Sequence, residues 1–267
     1  MDTVRSTPPL AGATILVTGA AGHLGRAVVS SLCKDGAEVI TVDQDSLGLV
    51  DLWENLEKGA GIPTHNFVAD LASQTERIEL CSKVGAAVPR LDGIVHCAAY
   101  VGTSKADGWS VGFEDQSCEF FEMAMSINLV APFHLTQLLL PLLQESPIAS
   151  VVTVASIYGL VGPDWRLYEG TQMANPAGYA ASKGGLLQLT RWLATTLAPK
   201  VRVNSVSPGG IHRGQPASFV ENYVRRTPLG RMASEEDIVG AISFLLSPGS
   251  SYITGENLAI DGGFTAW

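Results

Sequence analysis

Tyr179 and Lys183 are the two residues of this chain whose types and spacing best suit acid–base chemistry. On a helix, residues four positions apart lie on one face, with their Cβ atoms about 5–6 Å apart. A nearby ammonium group favours the tyrosinate and lowers the pKa of a phenol, which is otherwise about 10. The pair therefore predicts a tyrosine that exchanges protons near neutral pH, while a tyrosine packed on a lysine stem remains the alternative.

The segment that carries this pair is predicted to be helical. Asn175 can cap the helix and Pro176 suits its first turn. Leucines at helical spacing form an apolar stripe along it: Leu186, Leu187, Leu189, Leu193 and Leu197.

Length and composition indicate a single globular domain. The chain has 267 residues, of which 46% are hydrophobic and 16% charged, enough for one large core. We expect a flexible tail over residues 1–12 and one domain over 13–267. No stretch is apolar for the roughly 20 residues of a membrane span, and the N-terminus lacks an apolar signal core. We therefore expect a cytoplasmic protein without a membrane partner.

Charge and cysteine usage narrow the function classes further. The formal net charge of −9 argues against a nucleic-acid partner. The four cysteines lie in helix-like or strand-like runs without metal-ligand spacing, which predicts buried, reduced thiols with no disulfide and no zinc. The histidines show no ligand spacing either, so no metal is expected. A small molecule is the expected partner.

Short β-branched apolar runs alternate with helix-length segments along the chain. Strands covered on both faces are nearly continuous in apolar character, so the pattern predicts an α/β fold: a single doubly wound Rossmann-fold domain, with a seven-stranded parallel sheet and helices on both faces. The long connections 157–175 and 207–230 lack clear periodicity and are expected to carry substrate contacts. The predicted strands are 14–18, 38–42, 65–69, 93–97, 151–155, 201–206 and 257–260.

A glycine-rich turn follows the first predicted strand. Glycines let the backbone approach a pyrophosphate, and the N-terminus of the next helix adds N–H donors and a partial positive charge. The alternative is a tight turn that only packs a helix on the sheet. The turn contains the candidate cofactor contacts Gly19, Gly22, His23, Leu24 and Gly25.

Two aspartates follow later strands. Asp43 ends the second strand, where a carboxylate can accept hydrogen bonds from both hydroxyls of an adenosine ribose. A 2′-phosphate there would be repelled without a compensating cation, so NAD is favoured over NADP. Asp70, followed by Leu71, could meet the adenine edge, although Asp70 could equally be a helix N-cap and Asp43 a solvated turn residue.

From about residue 12 to its C-terminus, the chain resembles the short-chain dehydrogenase/reductase family. The resemblance rests on the glycine turn and the Tyr179/Lys183 pair, together with motifs elsewhere in the chain. These are Asn128 in Ser-Ile-Asn-Leu, Ser156 in Thr-Val-Ala-Ser, Val-Asn-Ser-Val-Ser-Pro-Gly at 203–209, Pro-Leu-Gly-Arg at 228–231 and Asp-Gly-Gly at 261–263.

The resemblance implies a catalytic tetrad of Asn128, Ser156, Tyr179 and Lys183. Tyr179 would exchange the substrate proton, Ser156 would hydrogen-bond the reacting oxygen, and Lys183 would lower the tyrosine pKa and hold the nicotinamide ribose. Asn128 would hold a water through its main-chain carbonyl. Pro132 gives that role independent support, since it has no N–H for the Asn128 carbonyl in a continuing helix. A kink or cap at Asn128 is the alternative.

The chain departs from the common short-form pattern at the cofactor. His23 stands where a glycine is usual, and His96-Cys97-Ala98-Ala99 replaces Asn-Asn-Ala-Gly. Both features resemble the longer, extended members of the family. The resemblance implies that Cys97, Ala98 and Ala99 contact the cofactor. In the loop after the sixth strand, Pro208, Gly209 and Ile211 are implied contacts as well. Arg213 stands there where many members have a threonine that touches the cofactor, and it is a candidate substrate residue.

A second departure lies between Ser156 and Tyr179, which are 23 positions apart, more than the family usually has. The added residues include Trp165, Arg166 and Tyr168, candidate substrate contacts because aromatic faces and arginine suit hydroxylated or anionic ligands. A subunit contact is the alternative for this insertion. The insertion and the loop after the sixth strand resemble a bacterial subgroup connected with flagellin-glycan biosynthesis, the nonulosonic acid pathway. The resemblance rests especially on Tyr168-Glu169-Gly170-Thr171 and Ser207-Pro208-Gly209-Gly210-Ile211.

The resulting prediction is an NAD-dependent oxidoreductase that interconverts a secondary alcohol and a ketone on a polar or sugar-like substrate. A 3-oxoacyl carrier-protein reductase is the alternative within this chemistry. A sugar-nucleotide epimerase or dehydratase with transient oxidation is a second enzyme class, and a non-enzymatic NAD-binding protein is the third possibility. The resemblance also implies a homotetramer, or a homodimer, formed through helices around 115–145 and 176–198.

Overall fold

The structure, a computed structural model, describes residues 8–56, 65–101 and 107–267. Within these ranges seven parallel strands form one sheet in the order β3-β2-β1-β4-β5-β6-β7. The prediction of a doubly wound seven-stranded sheet is confirmed, and each predicted run overlaps one strand. The strands are β1 (Thr14–Thr18), β2 (Glu38–Asp43), β3 (His65–Val68), β4 (Gly93–His96), β5 (Ser150–Val154), β6 (Arg202–Pro208) and β7 (Asn257–Ile260).

Helices cover both faces of the sheet. Because side chains alternate along a strand, β1 directs Ile15 and Val17 into one core and Leu16 into the other. The first core packs on α1, α2 and α8, and the second on α3, α5 and α6. The helices are α1 (His23–Lys34), α2 (Ser46–Asn55), α3 (Gln74–Ala87), α4 (Cys118–Met125), α5 (Ala131–Gln144), α6 (Ala177–Leu197), α7 (Ala217–Arg226) and α8 (Glu236–Leu246).

The strand order places a crevice at the centre of the sheet. After β1 the chain crosses to β2 and β3 on one side, and it then returns to β4 on the other side of β1. At such a switch point the connections after the two central strands diverge, which leaves a cleft at their carboxyl ends. The loops that follow β1 and β4 therefore form the floor of the site.

The helical segment from Cys118 to Gln144 contains a π turn at Ser126–Val130 between α4 and α5. Pro132 offers no N–H to a regular helix here, and a wider turn is one way to accommodate that interruption. This segment is long and apolar enough to cross a membrane by length and composition, contrary to the sequence-based expectation. Its leucines Leu135, Leu139 and Leu143 are nevertheless fully buried in the second core.

Several boundaries differ from the predictions. Residues 1–7 lie outside the described part, but Leu10 is buried and its N–H donates to the Asp35 carbonyl at 3.1 Å, so the predicted loose tail is wrong for residues 8–12. In the region predicted to lack periodicity, α7 buries Phe219 and Tyr223, one helical turn apart. Cys118, predicted to be buried, is exposed.

The helix caps differ as well. The N-cap of α3 is Ser73, whose hydroxyl accepts the Glu76 N–H, so the alternative of an N-cap at Asp70 is not realised. Pro176 rather than Asn175 is the N-cap of α6, and the first helical N–H donates to Gln116 Oε1 at 2.9 Å. Asn175 is instead buried, and its Oδ1 has no hydrogen-bond partner among the described residues.

Candidate active site

A cavity of about 360 Å³ lies at the carboxyl ends of β1, β2 and β4. It brings together most of the residues predicted to bind a cofactor, from the four loops that follow β1, β2, β3 and β4. The predicted residues that line it are Gly19, Gly22, His23, Leu24, Gly25, Asp43, Asp70, Leu71, Cys97, Ala98 and Ala99.

The glycine turn is shaped by close backbone contacts. Gly19 has φ +67°, and a Cβ there would lie 2.6 Å from the Ala98 Cα. A Cβ on Gly25 would overlap the Gly19 carbonyl. Gly22 is the N-cap of α1 and provides no side-chain acceptor, so no side chain caps the N–H groups of the first turn. This cradle fits a phosphate group at a helix N-terminus.

Asp43 closes one end of this cavity. Its Oδ2 accepts the Ala21 N–H at 2.9 Å and its Oδ1 accepts the Asp45 N–H at 3.0 Å. Each carboxylate oxygen has a second lone pair that can accept a ligand hydroxyl. Arg26 lies close by, but its guanidinium is already bonded to the Ala21 and Gly48 carbonyls and to Asp51.

The loop after β4 lies close to Lys183. Thr18 Oγ1 accepts the Cys97 and Ala98 N–H groups, both at 3.2 Å. Burial raises the pKa of the Cys97 thiol to about 12, so this thiol stays protonated. Burial likewise lowers the pKa of His96 to about 3, and this neutral ring is hydrogen-bonded to Thr136 at 2.9 Å.

Tyr179 and Lys183 lie on α6 as predicted, one turn apart. The Lys183 ammonium lies 5.7 Å from the centroid of the Tyr179 ring and donates to the Val154 carbonyl at 2.6 Å. Burial raises the pKa of Tyr179, whereas a hydrogen bond from Ser156 and the charge of Arg213 lower it. Burial lowers the pKa of Lys183 to about 8.

The sequence pointed to Lys183 as the cation that lowers the pKa of Tyr179. The Lys183 ammonium lies 5.7 Å from the ring centroid, and the charge of Arg213 lowers the pKa of Tyr179 against the effect of burial. The Ser156 hydroxyl also accepts the Tyr158 N–H at 3.2 Å, which fixes its orientation. The contact between β5 and α6 thus brings Ser156 close to Tyr179 and Lys183.

Asn128 connects three parts of the site from within the π turn. Its Oδ1 accepts the Tyr100 N–H at 2.7 Å, and its Nδ2 donates to the Tyr100 carbonyl and to Ser182 Oγ. Ser182 in turn donates to the Tyr179 carbonyl at 2.9 Å. The side chain therefore anchors the loop after β4 to α6.

A second cavity, of about 430 Å³, opens beside Ser156 and Tyr179. Gly209 and Ile211 line it, whereas Pro208 lies buried in β6 and lines neither cavity. Arg213 lines both cavities, so the two spaces meet at this residue. The insertion and α7 supply most of the remaining wall: Ile157, Tyr158, Tyr168, Met173, Ala174, Asn175, Phe219 and Tyr223.

The predicted substrate residues of the insertion divide into two groups. Tyr168 is buried and lines the second cavity. Trp165 and Arg166 do not line it: Trp165 is 54% exposed, and the Arg166 guanidinium is bonded to Asp164. The expectation for these two residues does not fit their positions, because the short turn that carries them faces outward.

Sequence reasoning placed substrate contacts in the connections 157–175 and 207–230 but did not name several residues of the second cavity. Tyr158, Phe219, Tyr223 and Met232 line it, yet none belongs to a motif that the sequence analysis used. The Tyr223 hydroxyl accepts the Gly210 N–H at 2.6 Å and so holds the loop after β6. The helical spacing of Phe219 and Tyr223 was the one signal that could have pointed to them.

Known proteins share this whole architecture. Residues 19–265 match the family model described as enoyl-(acyl carrier protein) reductase. A tropinone reductase homolog of Arabidopsis thaliana is 36% identical over 96% of this chain and 93% of its own length. A short-chain dehydrogenase of Leptospira borgpetersenii with bound NAD⁺ is 32% identical, with a TM-score of 0.84 over 99% of this chain and 97% of that one. The RhlG/NADP complex of Pseudomonas aeruginosa is 26% identical, with a TM-score of 0.85 over 98% and 99%. The chain is therefore a member of the short-chain dehydrogenase/reductase family.

Proposed function

We propose that the protein is an NAD(H)-dependent oxidoreductase that interconverts a secondary alcohol and a ketone, with Tyr179 as general acid and base. The observation that carries this proposal is that Tyr179 and Ser156 line a substrate-sized cavity, which shares Arg213 with the cavity lined by the glycine turn and Asp43. Family membership supports oxidoreductase chemistry on CH–OH groups.

The first cavity fits a nicotinamide dinucleotide. The glycine cradle and the open N-terminus of α1 suit its pyrophosphate, and Asp43 suits its adenosine ribose. Asp70 and Leu71 lie at the adenine side, and Cys97, Ala98 and Ala99 line the floor. When bound, the dinucleotide takes up or supplies the hydride of the redox step.

The residues around Asp43 favour NAD over NADP in this proposal. Asp43 and Asp45 both line the cavity, and two carboxylates would repel a 2′-phosphate. The nearby cation Arg26 has its donors engaged by Asp51 and by backbone carbonyls. Solved relatives bind NAD⁺ in one case and NADP in another, so the preference depends on these residues of this chain.

The proton chemistry belongs to the chain itself. In alcohol oxidation, Tyr179 Oη takes the hydroxyl proton while Ser156 Oγ hydrogen-bonds the reacting oxygen; in ketone reduction, Tyr179 returns the proton. Lys183, with its pKa lowered to about 8 by burial, can exchange a proton near neutral pH. We propose that the Asn128 carbonyl holds the water that connects Lys183 to solvent.

A 3-oxoacyl carrier-protein reductase is the second candidate, since the matching family model carries an acyl-carrier description. Such an enzyme normally uses NADP and needs a basic entrance for its carrier. Asp43 and the net charge of −9 argue against both. A preference for NADPH would favour this alternative, and turnover of a sugar nucleotide without net reduction of NAD would favour an epimerase or dehydratase.

The remaining proposals concern location and assembly. We propose a cytoplasmic homotetramer that binds neither nucleic acid nor membrane. Exposed aromatic side chains on the helices named for subunit contacts support this assembly, among them Phe133 on α5 and Trp192 on α6. The lack of a basic surplus supports the absence of a nucleic-acid partner.

The test is turnover by wild type and Tyr179→Phe with NAD and NADP side by side, against a panel of alcohols and ketones. Loss of the phenolic proton carrier should lower kcat by about 10²–10⁴-fold. The Kd for NAD, measured by calorimetry, should stay unchanged because the dinucleotide cavity is intact. Wild-type turnover in the variant would remove Tyr179 from the mechanism, and a preference for NADP in the wild type would overturn the cofactor assignment.

A further inference from the structure

The second cavity has walls that are mostly aromatic and apolar. Phe219, Met232 and Ile157 are all at least 94% buried and line it, together with three tyrosines outside the catalytic set. Ring contacts connect part of this wall: the ring centroids of Tyr168 and Phe219 lie 5.4 Å apart, and those of Phe219 and Tyr223 lie 6.0 Å apart. Such rings present broad apolar faces to a ligand.

Formal charge is scarce in this cavity. Of its lining residues in the described part of the chain, only Arg213 is charged, and it lies at the junction with the dinucleotide cavity. Burial raises the pKa values of Tyr158 and Tyr168, and that of Tyr223 to about 12, so the three phenols are neutral. A nucleotide diphosphate needs several charged donors, and each sugar hydroxyl left unpaired on an apolar wall costs roughly tenfold in affinity.

Polar side chains interrupt the apolar wall at a few points, among them Asn175, Gln215 and one pair of phenols. Tyr158 and Tyr168 share a hydrogen bond of 2.6 Å between their oxygens. Burial raises the pKa of the Tyr168 phenol, and the neighbouring Asn175 amide lowers it. The two phenols have two protons, and their mutual bond uses one of them. The other proton has no acceptor among the described residues, so the pair can donate one hydrogen bond to a ligand.

The wall is held in place from outside. Asp164 of the insertion forms ion pairs with Arg166 and with Arg226 on α7. Asn222 on α7 donates to the Arg166 carbonyl at 3.3 Å. These contacts join the insertion to α7, so Tyr168 and Phe219 face the cavity from two segments that are packed as one surface.

We propose that the substrate is a compact, uncharged ketone or its alcohol with a largely apolar ring body. It carries one hydrogen-bond acceptor remote from the reacting carbon, and the Tyr158–Tyr168 pair binds this acceptor. This inference rests on the proposed function and replaces the polar, sugar-like substrate suggested by the sequence. A cavity of about 430 Å³ is near the lower end of the range of ligand pockets, about 300–1,000 Å³.

The experiment compares kcat/KM for 4-phenylcyclohexanone, for its three pyridyl analogues, which differ by one ring nitrogen, and for fructose. In the wild type, the best cyclohexanone should exceed fructose by about 100-fold or more, and one pyridyl isomer should exceed the phenyl compound by about tenfold. Tyr168→Phe should abolish that pyridyl preference, and Tyr158→Phe should do the same as a second, independent variant.

Tyr252→Phe is the control, because it removes a phenol from a fully exposed position that lines neither cavity. It should leave the pyridyl-to-phenyl ratio unchanged. Faster turnover of fructose than of the cyclohexanones would overturn the substrate class, and a pyridyl preference that survives in both tyrosine variants would overturn the role of the pair. If the wild type reduces no ketone with either cofactor, the proposed function itself fails.

Discussion

Arg213 is the one residue of the described chain that lines both cavities with a full positive charge. Its Nε donates to Glu235 at 2.9 Å, and its N–H donates to the Gln215 side chain at 2.7 Å, which fixes the loop after β6. The family resemblance implies a threonine contact to the cofactor at this position. The arginine instead brings a charge that acts on the Tyr179 phenol.

We expect Arg213→Met to shift the pH dependence of alcohol oxidation to higher pH. Removing a nearby cation disfavours the tyrosinate, so the pKa of Tyr179 rises further above its ordinary value. Oxidation needs the deprotonated phenol. The part of the profile in which kcat/KM rises with pH should therefore shift to higher pH. The measurement is kcat/KM for the alcohol across pH at saturating NAD.

Arg166→Met is the matched control for this prediction. Arg166 is an arginine of the neighbouring insertion whose guanidinium is bonded to Asp164 and which lines neither cavity. Its pH profile should coincide with that of the wild type. Coincident profiles for both arginine variants would show that the Arg213 charge does not reach Tyr179.

At the scale of secondary-structure elements, Asp92 connects the start of the central strands to a helix end. This buried carboxylate accepts the Thr14 N–H at 2.8 Å and the Ser146 hydroxyl at 2.6 Å, and it pairs with Arg90. Asp92, directly before β4, is therefore joined to the start of β1 and to the turn after α5. The crevice that binds the dinucleotide lies between the same two strands.

Asp92→Ala should lower the free energy of unfolding by about 2–4 kcal/mol, because it leaves two buried donors without an acceptor. Urea denaturation followed by circular dichroism measures this loss. Asp51→Ala provides the comparison, since Asp51 is 60% exposed in its ion pair with Arg26 and an exposed pair contributes only about 0–1 kcal/mol. Equal losses in the two variants would contradict the structural role of Asp92.

At the scale of the whole molecule, apolar side chains remain exposed on adjacent helices. Trp192 on α6 is 54% exposed, and Phe121 on α4 and Phe133 on α5 are 39% and 38% exposed. α6 packs along α4 and the π turn, so these helices lie next to one another. Large apolar side chains of this kind are enriched in subunit interfaces.

We expect light scattering to show a tetramer for the wild type and a smaller species for Trp192→Glu, because a buried charge in the interface opposes association. Leu47→Glu, an equivalent change at a 79% exposed position on α2, should leave the mass unchanged. A monomeric wild type at micromolar concentration would be incompatible with the proposed assembly.

The sequence alone determined the sheet, the glycine turn and the placement of Tyr179 and Lys183 on one helix. Each of these depends on local information. That information is the period of apolar residues, the positive φ angle that glycine readily adopts at position 19, and the four-residue spacing of the pair. The residues that line the dinucleotide cavity follow the strands of a parallel sheet, whose carboxyl ends meet at one edge, and the alternation of strands and helices already indicated that sheet.

Only the tertiary structure decided which groups meet across the second cavity. The pairing of Tyr158 with Tyr168, the outward position of Arg166 and the reach of Arg213 depend on how the insertion packs on α7 and on the loop after β6. These segments lie tens of residues apart and carry no shared periodicity. Burial also raised the pKa of Tyr179, an effect of long-range packing that the spacing of two residues could not convey.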